Sequence, residues 1–140
     1  MVTRILFVCL GNICRSPMAE GVFRRVAEEE GLIDRFEIDS AGLGDWHIGQ
    51  APDHRAQKAA RSRGVDISSQ SARQVVYEDF ERFDLVLAMD GSNLAELKAR
   101  APHEARGKIR PSSISRLMWG QRMCPIPSSA ARRASITRST

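Results

Sequence analysis

The sequence has 140 residues, enough for one domain with a buried core and too few for two. Its formal net charge is +4, but residues 111–140 hold five arginines and no acidic residue, so the rest is nearly neutral and no nucleic-acid partner is expected. No apolar run could span a membrane or serve as a secretory signal, and the cysteine number, three, is odd. These features predict a cytoplasmic protein with a reactive thiol, without a membrane partner.

The first strand and helix follow one another closely. Residues 4–8 (RILFV) are β-prone and, after Arg4, continuously apolar, which predicts a buried strand of a parallel sheet. Ser16 and Pro17 predict the start of a helix, with Ser16 as its N-cap, and Gly31 predicts its end. The apolar face of this helix is predicted from Met18, Ala19, Val22, Phe23 and Val26.

The later elements alternate in the same way. A helix at 93–100 is predicted to be capped by Ser92. The alternation predicts an α/β fold with three layers around a central, mostly parallel sheet of four strands. A last strand and a final helix would fall in the Ser- and Arg-rich tail, whose sequence does not fit them. The other predicted strands are 36–39, 85–89 and 108 onward, and the other helices are 52–62 and 77–82.

The segment CLGNICRS, residues 9–16, lies between the first strand and the first helix. Backbone N–H groups at such a place converge on one point and the helix dipole adds positive potential, so an anion site is expected. Gly11 allows the backbone bend and Asn12 tolerates left-handed dihedral angles. Arg15 presents a planar fork to phosphoryl oxygens, and such positive surroundings turn a thiol such as Cys9 into a thiolate. The predicted phosphate-binding residues are Leu10, Gly11, Asn12, Ile13, Cys14 and Arg15.

The run VCLGNICRSP, residues 8–17, resembles the signature of the low-molecular-weight protein-tyrosine-phosphatase family. Matches to this family continue in order to about residue 110, at DSAG (39–42), ARQ (72–74), AMD (88–90) and SNL (92–94). The resemblance implies a cysteine-dependent phosphatase without metal or cofactor. It would hydrolyse phosphotyrosine proteins or small aryl phosphates through a phosphocysteine. The sequence leaves open whether a kinase is a partner.

The resemblance also implies roles for individual residues. Cys9 would be the nucleophile, Arg15 would bind the phosphate and stabilise the transition state, and Ser16 would hydrogen-bond the thiolate. The other implied roles are loop support by Asn12, Ser40 and Asp90, a place at the substrate entrance for Trp46, and a reversible disulfide with Cys9 for Cys14. His47, His54 and His103 are interpreted as solvated loop residues, and no pair of them has the spacing of metal ligands.

The C-terminal tail departs from the family pattern. An Asp in an Asp-Pro-aromatic loop should protonate the leaving group, but no Asp or Glu follows Glu104. Residues 1–110 are therefore predicted as the phosphatase-like domain, and residues 111–140 as an atypical tail. If the reading frame slipped by one base near residue 110, the codons of residues 123–131 could encode DVPDPFFGG, which resembles the missing acid loop. Our hypothesis is that this tail is translated out of frame, and that the printed chain is impaired.

Two alternatives to an active phosphatase remain open. A thiol-dependent arsenate reductase can share this fold and anion loop, but it needs further downstream cysteines. None lies between Cys14 and the tail, which contains Cys124. The second alternative is an inactive relic that binds oxyanions without turnover, which the missing acid would produce.

Overall fold

The computed structural model describes residues 2–112, which build a parallel sheet covered by helices on both faces. The four strands are β1 (Thr3–Cys9), β2 (Phe36–Gly42), β3 (Leu85–Ala88) and β4 (Ile109–Pro111). Their order across the sheet is β2-β1-β3-β4, and all neighbours are parallel. The predicted three-layer α/β fold with a four-stranded sheet is therefore confirmed.

Helices connect the strands and leave the strand ends open on one side. They are α1 (Arg15–Glu29), α2 (His54–Ser62), α3 (Asp79–Arg82) and α4 (Gly91–Arg100), with 3₁₀ turns at Ile33–Arg35 and His103–Lys108. Helix α1 packs on β1, β2 and α2, whereas α4 packs on β3 and β4. Because every connection returns to the same end of the sheet, the carboxyl ends of all four strands lie together.

Strand β1 carries the centre of the core. Its side chains alternate between the two faces of the sheet, as the period of two requires. Ile5 and Phe7 belong to the apolar cluster under α1 and α2, and Leu6 and Val8 belong to the cluster on the opposite face. Both faces of β1 are buried, so its end at Cys9 is held rigidly.

Three local predictions are wrong for physical reasons. Ser16 does not cap α1, since the helix begins at Arg15 and the buried Ser16 hydroxyl turns toward Cys9. Asp90, rather than Ser92, caps α4 by accepting a hydrogen bond from the backbone N–H of Asn93 at 2.7 Å. Val26 is 50% exposed and Ala27 is buried, because Ala27 lies four residues after Phe23 on the face that packs on the core, whereas Val26 lies at the edge of that face.

The domain boundary and the tail were predicted at residue 110/111. Strand β4 continues through Pro111, and the N–H of Ser112 still donates to the carbonyl of Ala88 at 2.8 Å. The remainder of the predicted tail, with its out-of-frame interpretation, lies outside the described residues. Among residues 2–112, no helix is both long and apolar enough to cross a bilayer. The cytoplasmic location stays a prediction.

Candidate active site

The candidate phosphate loop (residues 10–15) leaves β1 at Cys9 and enters α1. Its sharp turn occurs at Asn12, the one described residue other than glycine with a positive φ, 58°. Gly11 lies in the bend, as predicted, without adopting a positive φ. It also leaves room for a neighbour, because a Cβ at this position would lie 3.0 Å from Cδ2 of His47.

The thiol of Cys9 lies beneath this loop and is only 3% exposed. Its sulfur accepts a hydrogen bond from the backbone N–H of Asn12 at 3.3 Å and lies 3.0 Å from the hydroxyl of Ser16. The amino end of α1 begins within the same loop, so its dipole adds positive potential. This arrangement can stabilise a thiolate and bind an oxyanion above it.

The side-chain amide of Asn12 decides where the neighbouring hydrogens point. Its Oδ1 accepts the backbone N–H of Arg73 at 2.9 Å, so its Nδ2 must face the two serines. Nδ2 donates to the hydroxyl of Ser16 at 2.9 Å and to that of Ser40 at 3.0 Å. Both hydroxyls are therefore acceptors toward Asn12, and their own hydrogens point elsewhere. For Ser16, the near acceptor is the sulfur of Cys9, and the carbonyl of Ala41 lies further away, at 3.5 Å.

The guanidinium of Arg15 is held at the end of the loop by Asp90. Nη2 of Arg15 lies 2.9 Å from Oδ2 of Asp90, and both side chains are partly exposed. The other carboxylate oxygen of Asp90 caps α4, so a single residue fixes both the arginine and a helix. The remaining N–H donors of Arg15 can still reach a bound oxyanion.

Comparison with known proteins agrees with this geometry. The sequence profile of the low molecular weight phosphotyrosine protein phosphatase family matches residues 4–112. The chain belongs to this family.

Individual relatives in the family are similar over most of the chain. The low molecular weight protein-tyrosine-phosphatase YfkJ of Bacillus subtilis is 45% identical over 114 residues, 81% of this chain and 70% of its own length. The Sus scrofa phosphatase is 46% identical over 107 residues, covering 75% and 67% of the two chains. The crystal structure of the protein tyrosine phosphatase from Entamoeba histolytica superposes with a TM-score of 0.75 at 43% identity, over 78% of this chain and 69% of that one. Such homologues are cysteine-dependent phosphatases.

A charged cluster of Arg73, Asp39 and Asp79 lies outside the family signature and supports the phosphate loop through Asn12. Arg73 donates to both carboxylate oxygens of Asp79 at 3.0 Å and forms a 3.1 Å ion pair with Asp39. Burial alone would lower the pKa of Arg73, but Asp79 and Asp39 outweigh burial and raise it. This cluster holds the backbone N–H that orients Asn12. The sequence matched ARQ at 72–74 without indicating this function, because the contacting residues are far apart in the chain.

The loop of residues 43–53, called the entrance loop after the predicted position of Trp46, flanks the phosphate loop. The backbone N–H of Leu43 donates to the carbonyl of Cys9, and that of Gly44 donates to the carbonyl of Leu10, both at 3.0 Å. Trp46 is 45% exposed and its ring covers Gly44. His47 is half-buried against Gly11, so the interpretation of His47 as a solvated loop residue is wrong.

The second cysteine of the loop, Cys14, is also buried. Cys9 and Cys14 are both free thiols among residues 2–112. The redox function of Cys14 stays a prediction. Within the described residues, no group of three or more His, Cys, Asp or Glu side chains is placed to hold a metal ion.

Proposed function

We propose that the chain hydrolyses phosphotyrosine-type phosphate monoesters through Cys9. The observation that carries this proposal is the buried sulfur of Cys9, which receives the N–H of Asn12 and lies beside Ser16 under the amino end of α1. A sulfur so placed is the nucleophile for phosphorus bound above it. Phosphotyrosine proteins and small aryl phosphates are the proposed substrates.

The reaction has two displacement steps. In the first, a sulfur–phosphorus bond forms as the bond from phosphorus to the aryl oxygen breaks, and Arg15 with the loop N–H groups stabilises the phosphoryl oxygens. In the second, water attacks the phosphocysteine and releases phosphate, and the electron pair returns to the sulfur of Cys9. Ser16 donates its hydrogen to the sulfur whenever the thiolate is present.

The protonation of the leaving group is the weak part of this reaction. The resemblance places the general acid near the C-terminal end of the chain, but no Asp or Glu follows Glu104. The lack of a general acid costs on the order of 100- to 10,000-fold in rate. Aryl phosphates with acidic phenols leave without this proton, so the first step survives for them. The second step stays slow because the Asp of the acid loop, which would activate the water, is missing after Glu104.

A burst experiment tests both parts of this proposal. With p-nitrophenyl phosphate, we expect rapid release of about one nitrophenol per chain, then slow turnover, with phosphate on Cys9 detected by mass spectrometry. With phenyl phosphate, whose leaving group is poor, the burst should be slower. The variant Cys9→Ser should show neither burst nor turnover.

Other outcomes would replace the proposal. Binding of vanadate without any burst would indicate an inactive oxyanion-binding protein. Arsenate reduction coupled to thioredoxin, without phosphate ester hydrolysis, would indicate the reductase. Fast turnover with little dependence on the leaving group would show that another group supplies the proton.

We also propose that the tail beyond residue 110 is translated out of frame. Resequencing the DNA for residues 108–140 tests this directly. A one-base insertion or deletion whose correction encodes an Asp-Pro-aromatic loop supports the proposal. Codons that cannot encode that loop in the shifted frame overturn it.

A further inference from the structure

Glu20 is a buried carboxylate that the reaction above does not use. It lies one turn after Ser16 on α1 and is only 8% exposed. Its Oε1 accepts the hydroxyl hydrogen of Ser40 at 2.7 Å, and its Oε2 accepts from Nη2 of Arg24 at 3.0 Å. The same arginine nitrogen donates to the carbonyl of Ile38 at 2.9 Å. Glu20 therefore ties α1 to strand β2 behind the phosphate loop.

The direction of the bond between Ser40 and Glu20 follows from Asn12. The hydroxyl oxygen of Ser40 accepts from Nδ2 of Asn12, so its own hydrogen must go to another acceptor. The carboxylate of Glu20 is that acceptor. With Ser40 held as an acceptor toward Asn12, the second hydrogen of Nδ2 is donated to the hydroxyl oxygen of Ser16. The hydroxyl hydrogen of Ser16 is then donated to the sulfur of Cys9.

We propose that Glu20 is a positioning residue: it accepts the Ser40 hydrogen and so stabilises the hydrogen-bond relay, which runs from Ser40 through Asn12 and Ser16 to Cys9. The proposal rests on the proposed function, because it concerns the reactivity of the same sulfur. Glu20 acts only through other residues and does not touch the substrate. A buried carboxylate is costly to keep in a fold, and here both of its oxygens are satisfied.

The charges around Glu20 are few and identifiable. The nearest charged side chains are those of Arg24 on α1 and Asp39 on β2. Glu20 also lines a cavity of about 450 Å³, whose other charged lining residues include Arg25, Glu28 and Asp66. Burial raises the pKa of Glu20, and the charge of Asp39 raises it further. The hydrogen bonds from Ser40 and Arg24 oppose this rise without cancelling it. The ionised form of Glu20 is therefore stabilised by Ser40 and Arg24, the same two donors that hold its carboxylate in position.

The variant Glu20→Gln removes the acceptor of the Ser40 hydrogen at the far end of the relay from Cys9. The cationic Arg24 attracts the amide oxygen, so the amide nitrogen turns toward Ser40 and the Ser40 hydrogen loses its acceptor. We measure alkylation of Cys9 by iodoacetamide against pH, located by mass spectrometry. The expected result is a midpoint at higher pH and alkylation slowed by about 3- to 10-fold below that midpoint. The pH profile of kcat/KM for p-nitrophenyl phosphate should move in the same direction.

A matched control separates this effect from loss of a helical ion pair. Glu29 pairs with Arg25 on the same helix with the same spacing, at 3.1 Å, but it is exposed and has no contact with Ser40. Glu29→Gln should leave the alkylation profile of Cys9 unchanged. If Glu20→Gln folds but gives the wild-type profile, the positioning role is overturned, whatever its effect on thermal stability.

A second variant keeps the test decisive if Glu20→Gln does not fold. Ser40→Ala removes the whole hydroxyl at the start of the relay and leaves the pair of Glu20 with Arg24 intact. It should shift the alkylation profile as Glu20→Gln does, and the double variant should shift it no further. Additive shifts would overturn the proposal. Alkylation requires no turnover, so failure of hydrolysis with normal alkylation counts against the proposed function and not against the role of Glu20.

Discussion

The phosphate loop and the entrance loop lie side by side but are held in opposite ways. The phosphate loop is fixed by buried side chains, because Asn12 alone uses three hydrogen bonds to hold it. The entrance loop is fixed through its backbone, and its large side chains Trp46 and Ile48 are exposed. The first arrangement fixes the positions of the proposed reacting atoms, whereas the second leaves the side chains of Trp46 and Ile48 outside the core.

Two glycines near these loops, Gly42 and Gly44, also differ in what they contact. A Cβ on Gly42, at the end of β2, would lie 3.0 Å from the backbone nitrogen of Asn12 and from the carbonyl carbon of Gly11. A Cβ on Gly44 would instead overlap the ring of Trp46. A Cβ on Gly42 would therefore displace the backbone of the phosphate loop and with it the candidate site. A Cβ on Gly44 would displace only the ring of Trp46, which can rotate away at the surface.

Gly42→Ala is the change that should break the phosphate loop most strongly. The added methyl group pushes the loop by a few tenths of an ångström, at a cost of about 1–3 kcal/mol in the free energy of unfolding. We expect kcat for p-nitrophenyl phosphate to fall by roughly 10- to 100-fold, because small displacements of reacting groups are costly. Burst kinetics and urea unfolding measure the two effects.

The control for Gly42→Ala is Gly44→Ala, two residues along the same chain. It should leave kcat within about threefold of wild type, since only the Trp46 ring is displaced. Equal losses of kcat in the two variants would contradict the distinction between a rigid and an adaptable loop.

Trp46→Ala tests the adaptable side of the comparison. If the indole contacts the aryl group of the substrate, its removal should raise KM for an aryl phosphate by about 3- to 10-fold. The alkyl ester β-glycerophosphate should show no such change. The free energy of unfolding should change by less than about 0.5 kcal/mol, because the ring is exposed. An equal rise in KM for both esters would place Trp46 outside the substrate contact.

The same contrast explains how far the sequence could predict the structure. Strand β1, the phosphate loop and the end of α1 follow from local patterns, and they were predicted close to their positions. The contact of the Ser16 hydroxyl with Cys9 was implied by the family resemblance, but local patterns alone predicted a helix cap, because they do not show that a sulfur seven residues earlier competes for this hydroxyl. The cluster of Arg73 with Asp79 and the contact of His47 with Gly11 depend on chain segments brought together only by folding.

Glu20 provides the smallest of the expected effects, through the pH dependence of stability. Its pKa is raised above the ordinary value of 4.5 in the folded chain, so the folded state binds the proton more tightly than the unfolded state. The stabilisation from this proton is complete below pH 4.5 and is lost as the pH rises through the folded pKa. The free energy of unfolding of the wild type, relative to Glu20→Gln, should therefore decrease across that range, by about 1.4 kcal/mol per unit of pKa difference.

Urea unfolding at closely spaced pH values measures this decrease in stability. Glu29→Gln is again the control and should run parallel to the wild type, because Glu29 is exposed and its ion pair contributes little. A relative stability that rises with pH would mean that the hydrogen bonds from Ser40 and Arg24 outweigh the cost of burial. In that case the rigid phosphate loop would keep its buried carboxylate without any loss of stability at neutral pH.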